Sequence, residues 1–275
     1  MRADMHVHTY FSDGLQSPDD VALIAKNNGV EFVSVTDHDT CLAYPDFYDC
    51  CRKRGIKTVC GIEVSAYQNG VRLHTLGYGM DTDLPAFKKF LSSLLNGSLE
   101  RTEDILKKLK ANKIYLSMDE VLKQRKSDLS PVHSMHISRV AAAKGYAKDA
   151  FAFQKNFLSP GCIAYSPVGR PSPDTAVEII TACGGIASLA HPGRIELEKE
   201  ELISLVRRLK GEGLGGIEAV YSAHTPSETE YFKQIAKEYG LLITSGSDTH
   251  FKDGNKKIGT PVFDCGEELC EKLGF

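Results

Sequence analysis

Asp4-Met5-His6-Val7-His8-Thr9 lies near one end of the chain, and Ser245-Gly246-Ser247-Asp248-Thr249-His250 answers it near the other. Read as a β-strand, the first stretch sends His6 and His8 to one side, because side chains alternate between the faces of a strand. Asp248 and His250 repeat that spacing. Imidazoles and carboxylates paired on one face at a strand end make half of a metal site. Between the two stretches lie Thr36-Asp37-His38-Asp39, Gly61-Ile62-Glu63, His74 and Ala190-His191-Pro192-Gly193. Each falls directly after, within or at the end of a short apolar run.

Working outward, the first strand ends at His8 and a polar loop, Tyr10-Phe11-Ser12-Asp13-Gly14, follows. Ser17-Pro18-Asp19-Asp20 opens a helix, with Ser17 as N-cap, Pro18 in the first turn and acids at its positive end. Gly29 closes that helix. Phe32–Val35 reads as strand two, Asp46–Arg54 as a helix, Lys57–Ile62 as strand three with Glu63 at its end, and Val71–Tyr78 as strand four carrying His74. Pro85–Leu95 reads as a helix. This alternation predicts a parallel sheet or barrel.

From about residue 97 to 166 the rhythm changes to helices alone: Leu99–Lys110, Met118–Arg125, Met135–Lys144 and Ala147–Phe157. It then resumes with helix Asp174–Cys183, strand Ile186–Ala190, helix Leu197–Lys210, strand Gly216–Tyr221, helix Ser227–Tyr239 and strand Leu241–Ser245. The expected architecture is α/β: a TIM-like barrel from residues 1–96 and 167–275, with a small helical insertion over residues 97–166 capping the active site. In such a barrel the C-terminal strand ends converge on one mouth, where chemistry is built. The candidate residues cluster at those ends.

Composition narrows the function classes. With 275 residues the chain can bury a large core, and its formal charge of −3 advertises no basic surface for wrapping nucleic acid. No apolar run reaches the ~18 residues of a membrane span, and the N-terminal residues lack a signal peptide's apolar stretch. The eight cysteines form no C-x-x-C pair and read as buried or incidental thiols. A cytoplasmic protein is expected, without a membrane partner or a stable nucleic-acid complex.

His6, His8, Asp13, His38, Glu63, His74, His191, Asp248 and His250 offer six imidazoles and three carboxylates. That is too many for one first-row ion, which takes about four to six ligands, and suits two or three, with Glu63 or an aspartate bridging. Nitrogen and oxygen donors without thiolate point to Zn, Mn or Fe. Such ions would leave the mouth net positive and attractive to phosphate. Ions ~3.5–4 Å apart can hold a bridging hydroxide and stabilise both oxygens of an in-line displacement, so no protein nucleophile is required.

A lone H-x-H is more often a buried hydrogen-bonded pair, and Asp13 alone would fit an Asx turn before Gly14. Glu63 alone would fit a rim charge. The full set at successive strand ends outweighs those readings. Asp37 and Asp39, flanking His38, are expected to orient an imidazole. His136 and Arg139, one helical turn apart, with Arg194 and His224, are candidate phosphate contacts, each competing with an ordinary surface role. His133 is read as solvated.

The ordered set resembles the PHP (polymerase and histidinol phosphatase) family of metal-dependent phosphoesterases over nearly the whole chain. His6-x-His8 with Asp13 is similar to its first motif, Thr36-Asp37-His38-Asp39 to its second, His191 to its third and Asp248-x-His250 to its fourth. Glu63 and His74 fill the intervening ligand positions. The resemblance implies a distorted seven-stranded β/α barrel, a trinuclear metal centre and hydrolysis of a phosphate ester. The insertion and His136-Ile137-Ser138-Arg139 look like the small bacterial members that act on nucleotides, including 3′,5′-nucleotide bisphosphate phosphatases and a 5′-to-3′ exoribonuclease. Ser134-Met135 stand where that branch has Arg-Pro, which leaves phosphate binding to another arginine such as Arg139 or Arg170.

The leading expectation is therefore hydrolysis of a nucleotide phosphomonoester by a metal-bridging hydroxide, with His38, His191 or Asp248 moving a proton to the leaving oxygen. Competing readings are a histidinol-phosphate phosphatase, an exonuclease on short oligonucleotides, a metal-dependent amide or lactone hydrolase, and a non-catalytic sensor of phosphorylated ligands.

Overall fold

In the computed structural model, which describes residues 1–250 and 257–275, β1 (Ala3–Val7) is buried along its whole length. It is flanked on both sides. β2 (Phe32–Val35) pairs with it in parallel, and Thr249 forms a parallel bridge to Val7. Between β1 and β2 runs α1 (Pro18–Asn27), whose start is a capping box: Ser17 accepts from the Asp20 N–H and Asp20 reaches back to Ser17. α2 (Tyr44–Arg54) packs beside α1, and Val21, Ala25, Phe47 and Cys51 fill the layer between these helices and β1–β2.

A five-stranded sheet carries the rest in the order β3 (Gly61–Gln68), β4 (Val71–Tyr78), β5 (Ile186–Leu189), β6 (Gly216–Tyr221), β7 (Leu242–Gly246). β5, β6 and β7 run parallel, as the βα alternation predicts, but β4 is antiparallel to both neighbours. The expectation of uniformly parallel strands fails at a hairpin. Asn69 and Gly70 join β3 to β4 with φ of 49° and 87°, the pair of positive values that a two-residue primed turn demands. The Asn-Gly signal stands in the sequence. Reading strand three as Lys57–Ile62 ended it before the turn, whereas β3 starts at Gly61 and Glu63 is its third residue. Parallel bridges Phe32↔Lys57 and His38↔Glu63 connect the two-stranded sheet to the β3 side of the larger one. The fold is mixed α/β, with seven strands among the described residues.

α7 (Pro173–Ala182), α8 (Lys199–Gly211) and α9 (Pro226–Tyr239) pack on the large sheet, and Val177, Ile180, Val206, Leu209, Ile217 and Ile235 are among the residues of its core. α3 (Pro85–Ala111) is a single helix of 27 residues, where a break near residue 97 was expected. Gly97 does not end it, because it serves close packing: a Cβ there would run into the carbonyl of Gly169. Beyond it lie α4 (Met118–Leu122), α5 (Ser134–Ala143) and α6 (Ala150–Phe153), the last running into a π-helical turn (Gln154–Leu158). These elements and the C-terminal half of α3 share an apolar cluster of their own, with Ile105, Leu109, Val121, Ile137 and Phe153 buried together.

α10 (Glu267–Lys272) was not anticipated; six residues are too few to display helical periodicity. Leu269 on it joins the apolar cluster that holds Met5 of β1 and Phe32 of β2. All eight cysteines are free thiols. Among the described residues no helix is long and apolar enough to cross a membrane.

Candidate metal centre

The strands bring the nine proposed donors together. His6 and His8 leave β1 on one face, both fully buried, with their Nε2 atoms 3.1 Å apart. Glu63, from β3, stands in the middle. Its Oε1 lies 2.7 Å from His74 Nδ1 and 2.9 Å from His191 Nε2. Its Oε2 lies 3.3, 3.2 and 3.0 Å from His6 Nε2, His8 Nε2 and His38 Nδ1. Asp248 Oδ1 reaches His8 Nε2 at 3.3 Å and His250 Nδ1 at 3.4 Å, and Asp13 Oδ1 reaches His250 Nε2 at 3.2 Å.

Four groups emerge in which every donor atom lies within 4.8 Å of the others: His8-Asp13-His38-His250, His6-His8-Asp248, His6-Glu63-His191 and His38-Glu63-His74. Glu63 Oε2, His38 Nδ1, His8 Nδ1 and Asp13 Oδ1 are buried yet make no hydrogen bond. Buried polar atoms are ordinarily satisfied, so ring nitrogens and carboxylate oxygens that converge in this way fit cations. The donors, nitrogen and oxygen without sulfur, suit first-row divalent ions.

Electrostatics agree. Burial pushes the Glu63 carboxyl up, but His38, His74 and His6 outweigh it and hold it well below the usual range. Asp13 is likewise raised by burial and pulled well below its ordinary value by His133, His250 and His38. Burial drives His74 down to about 3 despite Glu63, so it stays neutral and free to ligate.

Three residues at the rim, Asp39, His191 and Asp248, adopt positive φ of 58°, 25° and 53°. Such conformations cost roughly 1–3 kcal/mol each and persist only where the surroundings enforce them. Here each backbone N–H is held: Asp39 by the Glu63 carbonyl at 2.9 Å, His191 by Glu218 Oε2 at 2.7 Å, Asp248 by the His6 carbonyl at 2.7 Å.

Glu218 is the residue that the sequence analysis missed. Fully buried on β6, it accepts from His6 Nδ1 at 2.9 Å as well as from His191 N–H, so it sets the tautomer and direction of one imidazole and the position of another. The signal was present, since Gly216-Ile217-Glu218 repeats the Gly61-Ile62-Glu63 pattern. Glu218→Gln keeps the shape and removes the charge. The expected result is a ~10–100-fold drop in metal affinity or turnover with the fold intact, read by metal titration and circular dichroism. Unchanged affinity and rate would show that Glu218 merely fills space.

Tyr221, also unassigned, donates to Asp248 Oδ2 at 2.7 Å and accepts from Arg194 Nη1 at 2.9 Å. Arg194 lines the mouth, as expected of a phosphate contact. The other three candidates do not line it. His136 is buried with Nε2 donating to the Ser12 carbonyl at 2.8 Å, and Arg139 donates to the Asp13 carbonyl at 2.6 Å, so both brace the turn that presents Asp13. His224 accepts from Gly193 N–H at 3.2 Å and supports the turn after His191. One helical turn of spacing set His136 and Arg139 on a shared face, but that face docks on the loop.

His133 is not solvated. It stacks on His38 at 4.4 Å between ring centres, and its Nδ1 lies 2.9 Å from Asp13 Oδ2. Asp37 and Asp39 hydrogen-bond to loop and strand groups rather than to an imidazole. Asp37 accepts from Thr9 N–H, Thr9 Oγ1 and Ser12 Oγ at 2.6–2.7 Å, and Asp39 accepts from Ser65 N–H at 2.7 Å. They pin loops and leave imidazole orientation to Glu218. Above the cage opens a cavity of about 1050 Å³, lined by cage residues together with Arg72, His133, Met135, Phe151 and Arg194. It is far larger than one phosphate requires.

The PHP domain pattern matches residues 4–119. The chain is 29% identical over 257 residues to the 3′,5′-nucleoside bisphosphate phosphatase of Chromobacterium violaceum, covering 93% of this chain and 90% of that protein. It is also 29% identical to the phosphoribosyl 1,2-cyclic phosphate 1,2-diphosphodiesterase of Eggerthella lenta, over 92% and 96% of the two chains. A solved structure from Chromobacterium violaceum, described as an amidohydrolase with bound sulfate and no metal, superposes with a TM-score of 0.88 at 27% identity, over 99% of this chain and 97% of that one. Motif order, caged donors and likeness along nearly the whole chain converge on a metal-dependent phosphoester hydrolase whose residues 4–119 match the PHP domain.

Proposed function

We propose that the chain hydrolyses a phosphomonoester of a nucleotide, of the kind named for its Chromobacterium violaceum relative, a nucleoside 3′,5′-bisphosphate. The observation that carries this reading is Glu63, whose Oε2 faces three imidazole nitrogens at 3.0–3.3 Å without a hydrogen bond, below a cavity with room for a nucleotide. His6, His8, Asp13, His38, Glu63, His74, His191, Asp248 and His250 would hold two or three ions of Mn, Zn or Fe. When bound, such ions acidify water and neutralise phosphate oxygens. The seven strands are read as a distorted barrel around that centre, and residues 97–166 as its cap.

The chain's own groups supply the rest. Arg194, at the rim beside Tyr221 and Asp248, is placed to meet an incoming phosphate. Tyr221 fixes Asp248 while leaving Asp248 Oδ1 directed to the cage. His38, His191 and Asp248 border the mouth, where a proton must reach the leaving oxygen. Phe151 and Met135 line the side that the insertion contributes and present apolar surface to a base.

A panel of a nucleoside 3′,5′-bisphosphate, a ribose cyclic phosphate diester, histidinol phosphate and a short 5′-phosphorylated RNA tests the assignment. The highest kcat/KM is expected on the bisphosphate, with inorganic phosphate as product. Preference for histidinol phosphate, RNA or the diester overturns it. His38→Ala should abolish turnover, and a wild type that binds phosphate esters without cleaving any would instead be a sensor.

A further inference from the structure

Behind one wall of the mouth lies a second, smaller cavity of about 20 Å³, lined by Arg72, Arg101 and Arg170 together with Tyr165. That is room for about one water-sized group or small anion. Three guanidiniums share this space. Asp39 lies 3.9 Å from Arg101 Nη2, and no other carboxylate among the described residues comes within ion-pair distance of any of the three. One Asp39 oxygen already accepts Ser65 N–H. Arg170 Nε and Nη1 and the Tyr165 hydroxyl are buried without a hydrogen-bond partner. Burial, followed by repulsion from Arg101 and Arg72, drives the Arg170 guanidinium down to about 9. Buried charge without a partner is costly, so the cluster calls for an anion.

Its construction is rigid. The close packing of Gly97 on Gly169 presses α3 against the 166–170 loop, and Arg101 Nη1 donates to the Val168 carbonyl at 3.1 Å. Arg101 from the helix and Arg170 from the loop both line one space. Arg72 borders both this cavity and the mouth. It lies two residues before His74 on β4, on the same face and ~6.6 Å along the strand. A group held by Arg72 thus sits about one sugar away from the cage.

We propose that Arg72, Arg101 and Arg170 seat a second, non-scissile phosphate of the substrate, so that esters carrying two phosphates on one sugar are selected over those with one. This rests on the nucleotide reading above and adds the residues that enforce it. Planar guanidiniums match a tetrahedral oxyanion through paired N–H donors, and three of them suit a dianion better than a carboxylate. Ser134 lines the same cavity and offers it a hydroxyl.

The test compares kcat/KM on a nucleoside 3′,5′-bisphosphate and on the matching 3′-monophosphate, which share the scissile ester. Arg170→Met is expected to lower the bisphosphate value by about 10–100-fold, the range for losing hydrogen bonds to a charged group, with a clearly smaller loss on the monophosphate. Arg170→Lys, which keeps the charge without the fork, should fall between and serves if the Met variant does not fold. Equal losses on both substrates overturn the proposal. If neither nucleotide is turned over while an aryl phosphate is, the reading beneath it fails and a separate measurement decides the seat. Inorganic sulfate should then raise the Tm of wild-type holoenzyme but not of Arg170→Met; the same rise in both, or none in wild type, overturns it. A sulfate effect without any kinetic preference on active nucleotides also overturns it, since the site would then take free oxyanions only.

Discussion

Glu63→Gln should lower kcat/KM for the phosphate ester by about 10²–10³-fold or more, the loss seen when one electrostatic stabiliser is removed from an active site. Glu63 touches five imidazoles, His6, His8 and His38 through one oxygen and His74 and His191 through the other. Glutamine matches its volume but carries no charge, and its amide nitrogen turns donor hydrogens toward ring nitrogens that must stay free for cations. Metal content per chain, measured by mass spectrometry, should fall in parallel. A Glu63→Gln enzyme with full metal content and near-native turnover would sink the cage as described. Folding is checked by circular dichroism, since the substitution removes a buried carboxylate from among five imidazoles.

The second large effect is removal of the ions. Chelation should abolish turnover, and Mn, Zn or Fe should restore it to different extents. Stability should change too, with a predictable sign. In the metal-free chain burial pulls the His8 imidazole down, but Asp248 and Glu63 outweigh it and lift it to about 10. A raised folded value contributes stability that is complete below the unfolded value of ~6.5 and is lost as pH climbs towards 10. His74, lowered to about 3, acts in the opposite sense: stability falls as pH drops from ~6.5 towards 3, because only the unfolded chain takes the proton.

The metal-free protein should therefore be most stable near pH ~6.5. A cation must displace the His8 proton, so uptake at neutral pH releases protons and tightens as pH rises. At ~1,000 times Kd the ions would add about 4 kcal/mol. Thermal melts with and without metal should diverge more at about pH 8.5 than at about pH 6. Equal divergence at both, or activity that survives chelation, would contradict this account.

How much of this was legible in the sequence follows from which rules are local. His6 and His8 share a face because a strand alternates, and that holds whatever surrounds it. The order of the donor motifs along the chain was equally plain. Glu218 escaped because its role depends on His6 arriving from a strand more than 200 residues away, although its G-I-E setting matched that of Glu63. His133, His136 and Arg139 were misjudged for a related reason. Helical spacing tells which residues share a face, not what the face meets, and here it meets the Ser12–Asp13 turn. The β3–β4 reversal was readable from Asn69-Gly70, but the expected βα rhythm overrode a local turn signal.

Since β1 lies against the residues that follow β7, the donor set is assembled from stretches far apart in the sequence, of which one is translated well before the other. A ribosome adding roughly 5–20 residues per second needs roughly 12–50 seconds to travel from His6 to His250. Until then the early imidazoles and Glu63 lack Asp248 and His250 opposite them. Discrimination among competing cations is thus deferred until Asp248 and His250 have been added, and a chain cut shortly before Asp248 would carry an open-sided cage.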